Sequence, residues 1–152
     1  MVRTLLDRNW HVTVISRRPY EQVTDTPPPS SETFTQIISS LTQEDIPTLT
    51  ESLHSHDVVF NCLGTTRGQA GSAEAFVNVE VGLTTVIAEV ATAAGIRHAS
   101  VVSAEGANKD MWVPTTLIHP LLYMRTLGEK EAAMLSAPFQ SVTIFRPGML
   151  NR

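Results

Sequence analysis

The run Asp57-Val58-Val59-Phe60-Asn61-Cys62-Leu63-Gly64-Thr65-Thr66-Arg67-Gly68 constrains the fold more than any other part of the chain. A short β-branched apolar stretch ends in a small polar residue, a glycine and a loop of backbone donors. In an open α/β sheet, that combination forms the floor of a nucleotide crevice at the carboxyl end of a strand. The helix that follows is equally legible. Phe76, Val79, Leu83, Val86 and Val90 recur at three- and four-residue spacing between Ala73 and Ala94, which predicts one buried face. Ser72 suits the N-cap and Gly95 the C′ position.

The same alternation runs along the rest of the chain. Val2, Leu5 and Leu6 fit the last turns of an amphipathic helix. His11 to Ser16 reads as a buried strand, stopped by Pro19. Phe34 to Ser39 is a weaker strand, and Pro47 to Ser55 a short helix with Leu49 and Leu53 one turn apart. Ala99 to Ser103 and Ser141 to Arg146 are further strands, with a helix from Pro120 to Ser136 between them. Thr24 to Thr33 is a proline-rich loop, expected to be exposed and mobile. Short apolar strands alternating with helices imply parallel pairing through right-handed crossovers. The predicted fold is therefore α/β, a Rossmann-like doubly wound sheet in a single domain.

Composition narrows the function classes. Net charge is −4 and no basic stripe is present, which argues against a nucleic-acid surface. The lone cysteine excludes a disulfide framework and a cysteine zinc site within the chain. No uninterrupted apolar run approaches the ~20 residues of a membrane span. A reducing, cytoplasmic setting is the simplest expectation. The histidines show no ligand-spaced cluster, and no metal site is expected.

Candidate chemistry lies at strand ends. Ser16, Arg17 and Arg18 follow the first recognisable strand. In a dinucleotide fold this tip reaches the adenosine ribose, where an acid holds the 2′-hydroxyl of NAD and an arginine suits the 2′-phosphate of NADP. No acid stands there, so NADP(H) is the expected cofactor; the alternative is a solvated basic strand end. Asn61, Cys62, Leu63, Gly64, Thr65 and Thr66 form the second tip, suited to the pyrophosphate or ribose. Cys62 itself reads as a small buried hydrophobe. Both tips are expected to converge on one phosphorylated adenosine. Tyr123 and Ser103 are the candidate catalytic pair for reducing a small carbonyl substrate. A phenol with pKa ~10 must be lowered to donate a proton near neutral pH. Leu127, not lysine, stands four residues on, and Lys130 is about two turns away, ~10 Å along the axis. Tyr123 therefore reads either as that acid or as a packing tyrosine. His119 could line a pocket, and Trp112 could cover a substrate or simply pack on the surface.

The Asp57 to Gly71 run resembles the Tat-interacting protein family of atypical short-chain dehydrogenases/reductases. So do Val14-Ile15-Ser16-Arg17-Arg18-Pro19, Ser103-Ala104-Glu105-Gly106-Ala107-Asn108-Lys109 and Phe145-Arg146-Pro147-Gly148. The resemblance implies a Rossmann-like fold that binds NADPH and an oxidoreductase label, with protein partners described for animal members. Three departures stand out. Met1 falls inside the helix that should follow the family's first strand and glycine-rich turn. Leu127 replaces the family's lysine, and Ala104 replaces the second of its two serines. The expectation is an internal piece of such a protein with weak cofactor affinity and impaired hydride transfer. The alternative function is a nucleotide-sensing or protein-interaction scaffold, with self-association through open sheet edges.

Overall fold

The computed structural model describes residues 1–21, 29, 32–113 and 120–148. Most of the proline-rich loop, and His119, lie outside the described residues. The chain packs as two compact units, Met1–Asp45 and Ile46–Arg152.

In the first unit, α1 (Val2–Leu6) leads through a turn at Asn9, with φ 61°, into β1 (Val12–Ser16). Asparagine tolerates this left-handed geometry better than most residues. β1 pairs in parallel with β2 (Phe34–Ile38), Val12 opposite Phe34 and Ser16 opposite Ile38. The turn after β2 is held by polar contacts. Ser39 Oγ donates to Asp45 Oδ2 at 2.7 Å, and the Thr42 amide donates to the same oxygen at 3.0 Å. The Ser39 contact, then the Thr42 amide, holds the Asp45 carboxyl below its ordinary pKa.

The second unit runs α2 (Ile46–Leu53), β3 (Val58–Asn61), α3 (Arg67–Ala70), α4 (Ala73–Ala93), β4 (His98–Val102), α5 (Pro120–Ser136) and β5 (Ser141–Phe145). The strands pair in the order β3-β4-β5, all parallel. Alternation along each strand sends Val59, Ala99, Val101, Val142 and Ile144 to one face. There they meet Ala88 of α4 and Met134 of α5, the core of this unit. The predicted α/β class with parallel strands holds. Strand boundaries differ by up to two residues from those the sequence suggested.

The strands form two sheets, β1-β2 and β3-β4-β5.

Ser72 Oγ caps α4 by accepting from the Ala75 amide at 3.0 Å, and Gly95 ends it with φ +81°. A π turn at Asn78–Gly82 interrupts the α-helical register. The buried residues within and beyond it are Glu80, Thr84, Val86, Ala88, Val90 and Ala91, whereas Val79 and Leu83 are only half-buried. The expected Val79–Leu83 stripe is thus corrected. The extra residue of the π turn rotates the face, a recurrent feature at functional sites. By length and composition α4 could cross a membrane, which the sequence reading did not anticipate. In this fold its Phe76, Val86 and Val90 side chains are buried in the unit's core.

Loop and helix backbones meet at Gly128 of α5. A Cβ there would lie 2.1 Å from Lys109 N and 2.4 Å from Asn108 C. The Asn108 amide also donates to Met124 O at 3.0 Å. Gly128→Ala gains about 1 kcal/mol of helix propensity but forces overpacking that costs about 1–3 kcal/mol or more against rigid backbone. Net loss of stability is expected in urea melts. Gly68→Ala, with no atom within 4 Å of its Cβ position, is expected to be neutral or stabilising.

Candidate functional site

Asn61 closes β3 and points into the core, 1% exposed. Its Nδ2 donates to Thr84 Oγ1 at 2.8 Å, and its Oδ1 accepts from the Leu63 amide at 3.1 Å. The strand's alternation then turns Cys62 outward. This corrects the expectation of a buried cysteine; the thiol is exposed, and the partial burial it retains pushes its pKa up.

Beneath the loop lies a buried ion pair that sequence reasoning missed. Lys130 Nζ of α5 sits 3.0 Å from Glu80 Oε2 of α4, with both side chains at most 3% exposed. The same ammonium donates to Leu63 O at 2.6 Å, and Glu80 Oε1 accepts from the Thr65 amide at 2.7 Å. Gly64 lies over the carboxylate, its Cβ position 3.4 Å from Glu80 Oε1. Two of the backbone donors expected to face a nucleotide, Leu63 N–H and Thr65 N–H, are therefore committed inward. Thr66 Oγ1 caps α3 by accepting from the Gln69 amide at 3.2 Å. The Phe76–Glu80–Thr84 spacing of four was the available signal, obscured because Glu80 read as a solvent residue within an apolar pattern.

Tyr123 is half-buried and stacks on Phe76, ring centroids 6.0 Å apart. Burial, and then the Glu80 carboxylate, push its phenol above the ordinary value of 10.0. Leu127, one turn on, is 3% exposed. Lys130 commits its charge to Glu80 rather than to the phenol. Ser103 is buried beside Glu131 of α5, eight residues beyond Tyr123, or about 12 Å of helical rise. Its hydroxyl helps stabilise the Glu131 carboxylate without completing a hydrogen bond of good geometry. No hydrogen bond joins Ser103 to Tyr123 among the described residues. Trp112 is 81% exposed.

Arg146, just past β5, grips Glu131 with two bonds, Nε to Oε1 at 2.8 Å and Nη2 to Oε2 at 2.6 Å. Burial works against ionisation of Glu131. The Arg146 hydrogen bonds, the adjacent Ser103 hydroxyl and the Arg146 charge outweigh it, leaving the pKa below 4.5.

The tip after β1 belongs to the first unit. Arg17 and Arg18 are exposed, and among the described residues no carboxylate pairs with either. Ser16 Oγ donates to Arg18 O at 2.7 Å, so the hydroxyl shapes its own turn.

The sequence pattern of the family described as NAD(P)H-binding matches residues 1–152. The chain belongs to that family. Its relatives include rat HTATIP2, 38% identical over 99 residues, covering 65% of this chain and 37% of that protein. Candida albicans FMP52 is 38% identical over 96 residues, 63% of this chain and 38% of that protein. The Aspergillus niger fmp52 protein is 30% identical over 140 residues, 92% of this chain and 55% of that protein. The resemblance read from the sequence therefore stands, and the chain spans between 37% and 55% of the length of these relatives. The fungal proteins are named mitochondrial, which overturns the expected cytoplasmic setting. A lone cysteine indicates only reducing conditions and could not carry that inference. Among solved structures, MoeE5 in complex with UDP-glucose and NAD superposes with TM-score 0.70 at 19% identity, covering 95% of this chain and 48% of that one. Bordetella bronchiseptica WbmG in complex with NAD gives TM-score 0.69 at 14% identity, over 95% of this chain and 47% of that one. At these identities the likeness establishes the Rossmann-like fold alone.

Two outcomes follow from the buried charges. Lys130→Met leaves Glu80 buried and unpaired, an expected loss of about 3–5 kcal/mol in chemical denaturation. Adding Glu80→Gln, which keeps an acceptor for Thr65 N–H, is expected to restore much of it. Glu131 has a depressed folded pKa, so its stabilisation is present above the unfolded value of 4.5 and lost as pH falls through the folded one. The stability gap between wild type and Glu131→Gln is therefore expected to be constant near neutrality and to close as pH falls below 4.5 and through the folded value. A gap independent of pH would refute the assignment.

Proposed function

We propose that the chain is an NADP(H)-binding, short-chain dehydrogenase-like domain whose acid–base machinery for hydride transfer is impaired. The observation that carries this reading is the state of Tyr123. Its phenol is pushed up by burial and by Glu80, and Leu127 stands where an activating cation would be needed. A bound nicotinamide would supply the hydride, and among the described residues Tyr123 is held as a poor proton donor near neutral pH. The same observation favours the second reading, nucleotide binding that serves sensing or protein contact without turnover.

The NADP preference rests on Arg17 and Arg18. Two exposed guanidiniums, with no carboxylate partner among the described residues, fit a 2′-phosphate. Within the second unit, Thr65 and the backbone of Cys62 and Gly64 are the candidate nucleotide contacts. Ser103 would line the carbonyl side.

Removing both arginine side chains (R17A/R18A) is expected to weaken NADPH binding about tenfold to a hundredfold, the worth of charge-assisted hydrogen bonds of 1.5–3 kcal/mol. NADH binding should change little. Both are read by nucleotide fluorescence at fixed ionic strength. Equal loss for both nucleotides would overturn the phosphate assignment. Robust NADPH oxidation by wild type on a panel of small ketones and aldehydes would overturn the impairment.

A further inference from the structure

Gln36 of β2 is not explained by core packing. It is a polar residue in the middle of a strand, opposite Val14, yet its side-chain amide is fully engaged. Nε2 donates to Ser16 Oγ at 3.0 Å and to Arg18 O at 3.2 Å. Oε1 accepts from the Tyr20 amide at 3.1 Å. Ser16 Oγ in turn donates to Arg18 O. One amide therefore ties together both ends of the turn that carries Arg17 and Arg18. Phe34, two residues earlier on the same face of β2, holds the buried Tyr20 ring edge-on at 5.4 Å and 74°. The turn is strapped to β2 at its start, middle and end.

We infer that Gln36 is the positioning residue for 2′-phosphate recognition. It fixes the backbone from which Arg17 and Arg18 project, and so sets the preference for NADPH over NADH. This rests on the proposed role of the two arginines. The physical reason is entropic. Each arginine carries rotamer freedom that an anion must freeze. A turn already fixed by four hydrogen bonds leaves only the side chains to order, whereas a loose turn adds backbone freedom that must be frozen as well. The effect is confined to the phosphorylated nucleotide, because NADH lacks the group those arginines meet.

The test compares dissociation constants of NADPH and NADH for wild type and Gln36→Met, which keeps side-chain length and removes every hydrogen bond. Titrations run at fixed ionic strength, with melting temperatures recorded alongside. The expected result is a loss of NADPH preference of about tenfold, with NADH affinity unchanged. A wild type without NADPH preference sinks the arginine assignment, and the inference with it. A wild type that prefers NADPH, beside a Gln36→Met variant with lower melting temperature and the same preference, overturns the inference alone. Should Gln36→Met fail to fold, Ser16→Ala removes the middle link of the same network. It is expected to reduce the preference in the same direction, and an unchanged preference there overturns the inference equally.

Discussion

The buried Glu80–Lys130 pair organises the second unit. It joins α4 to α5, takes up one carbonyl and one amide of the loop after β3, and rests on a π turn that rotates Glu80 inward. Isolated charges at this depth would be prohibitive. Paired, and with further hydrogen bonds to the backbone, they become tolerable and hold a definite geometry. The loop's conformation is thus inherited from two helices rather than from its own glycine. Gly64 matters because it lets the backbone lie directly over the carboxylate.

This arrangement underlies the proposed impairment of Tyr123. Lysine and tyrosine are both present on α5, but at a spacing of seven the charge is carried past the phenol and spent on Glu80. What remains near Tyr123 is an aromatic neighbour and an anion, and both keep the proton on the oxygen. A cation has not simply been lost from this helix. It stands one turn further along and serves the architecture instead.

The strands, their parallel pairing and the caps of α4 were legible because they depend on local pattern: β-branched runs, Ser72, Gly95. The outward turn of Cys62 was not, since it follows from where β3 stops and from Asn61 being drawn inward by Thr84. Neither was the π turn, which shifts the buried face from Val79 and Leu83 to Glu80 and Thr84. A regular helical period cannot reveal an irregular one. Gln36 escaped notice for a related reason: a polar residue inside a weak strand reads as solvent-facing until its partners across the turn are known. Arg17, Arg18 and the Gly64-Thr65-Thr66 hinge were found by residue type, and the structure describes each within its own unit.

The contact at Gly128 has a consequence for how such chains can vary. The helix surface at Met124 and Gly128 acts as a mould for the peptide groups of Asn108 and Lys109. Insertions or deletions between Gly106 and Lys109 would shift those peptides out of the mould. Length changes in this connection are therefore disfavoured at those positions.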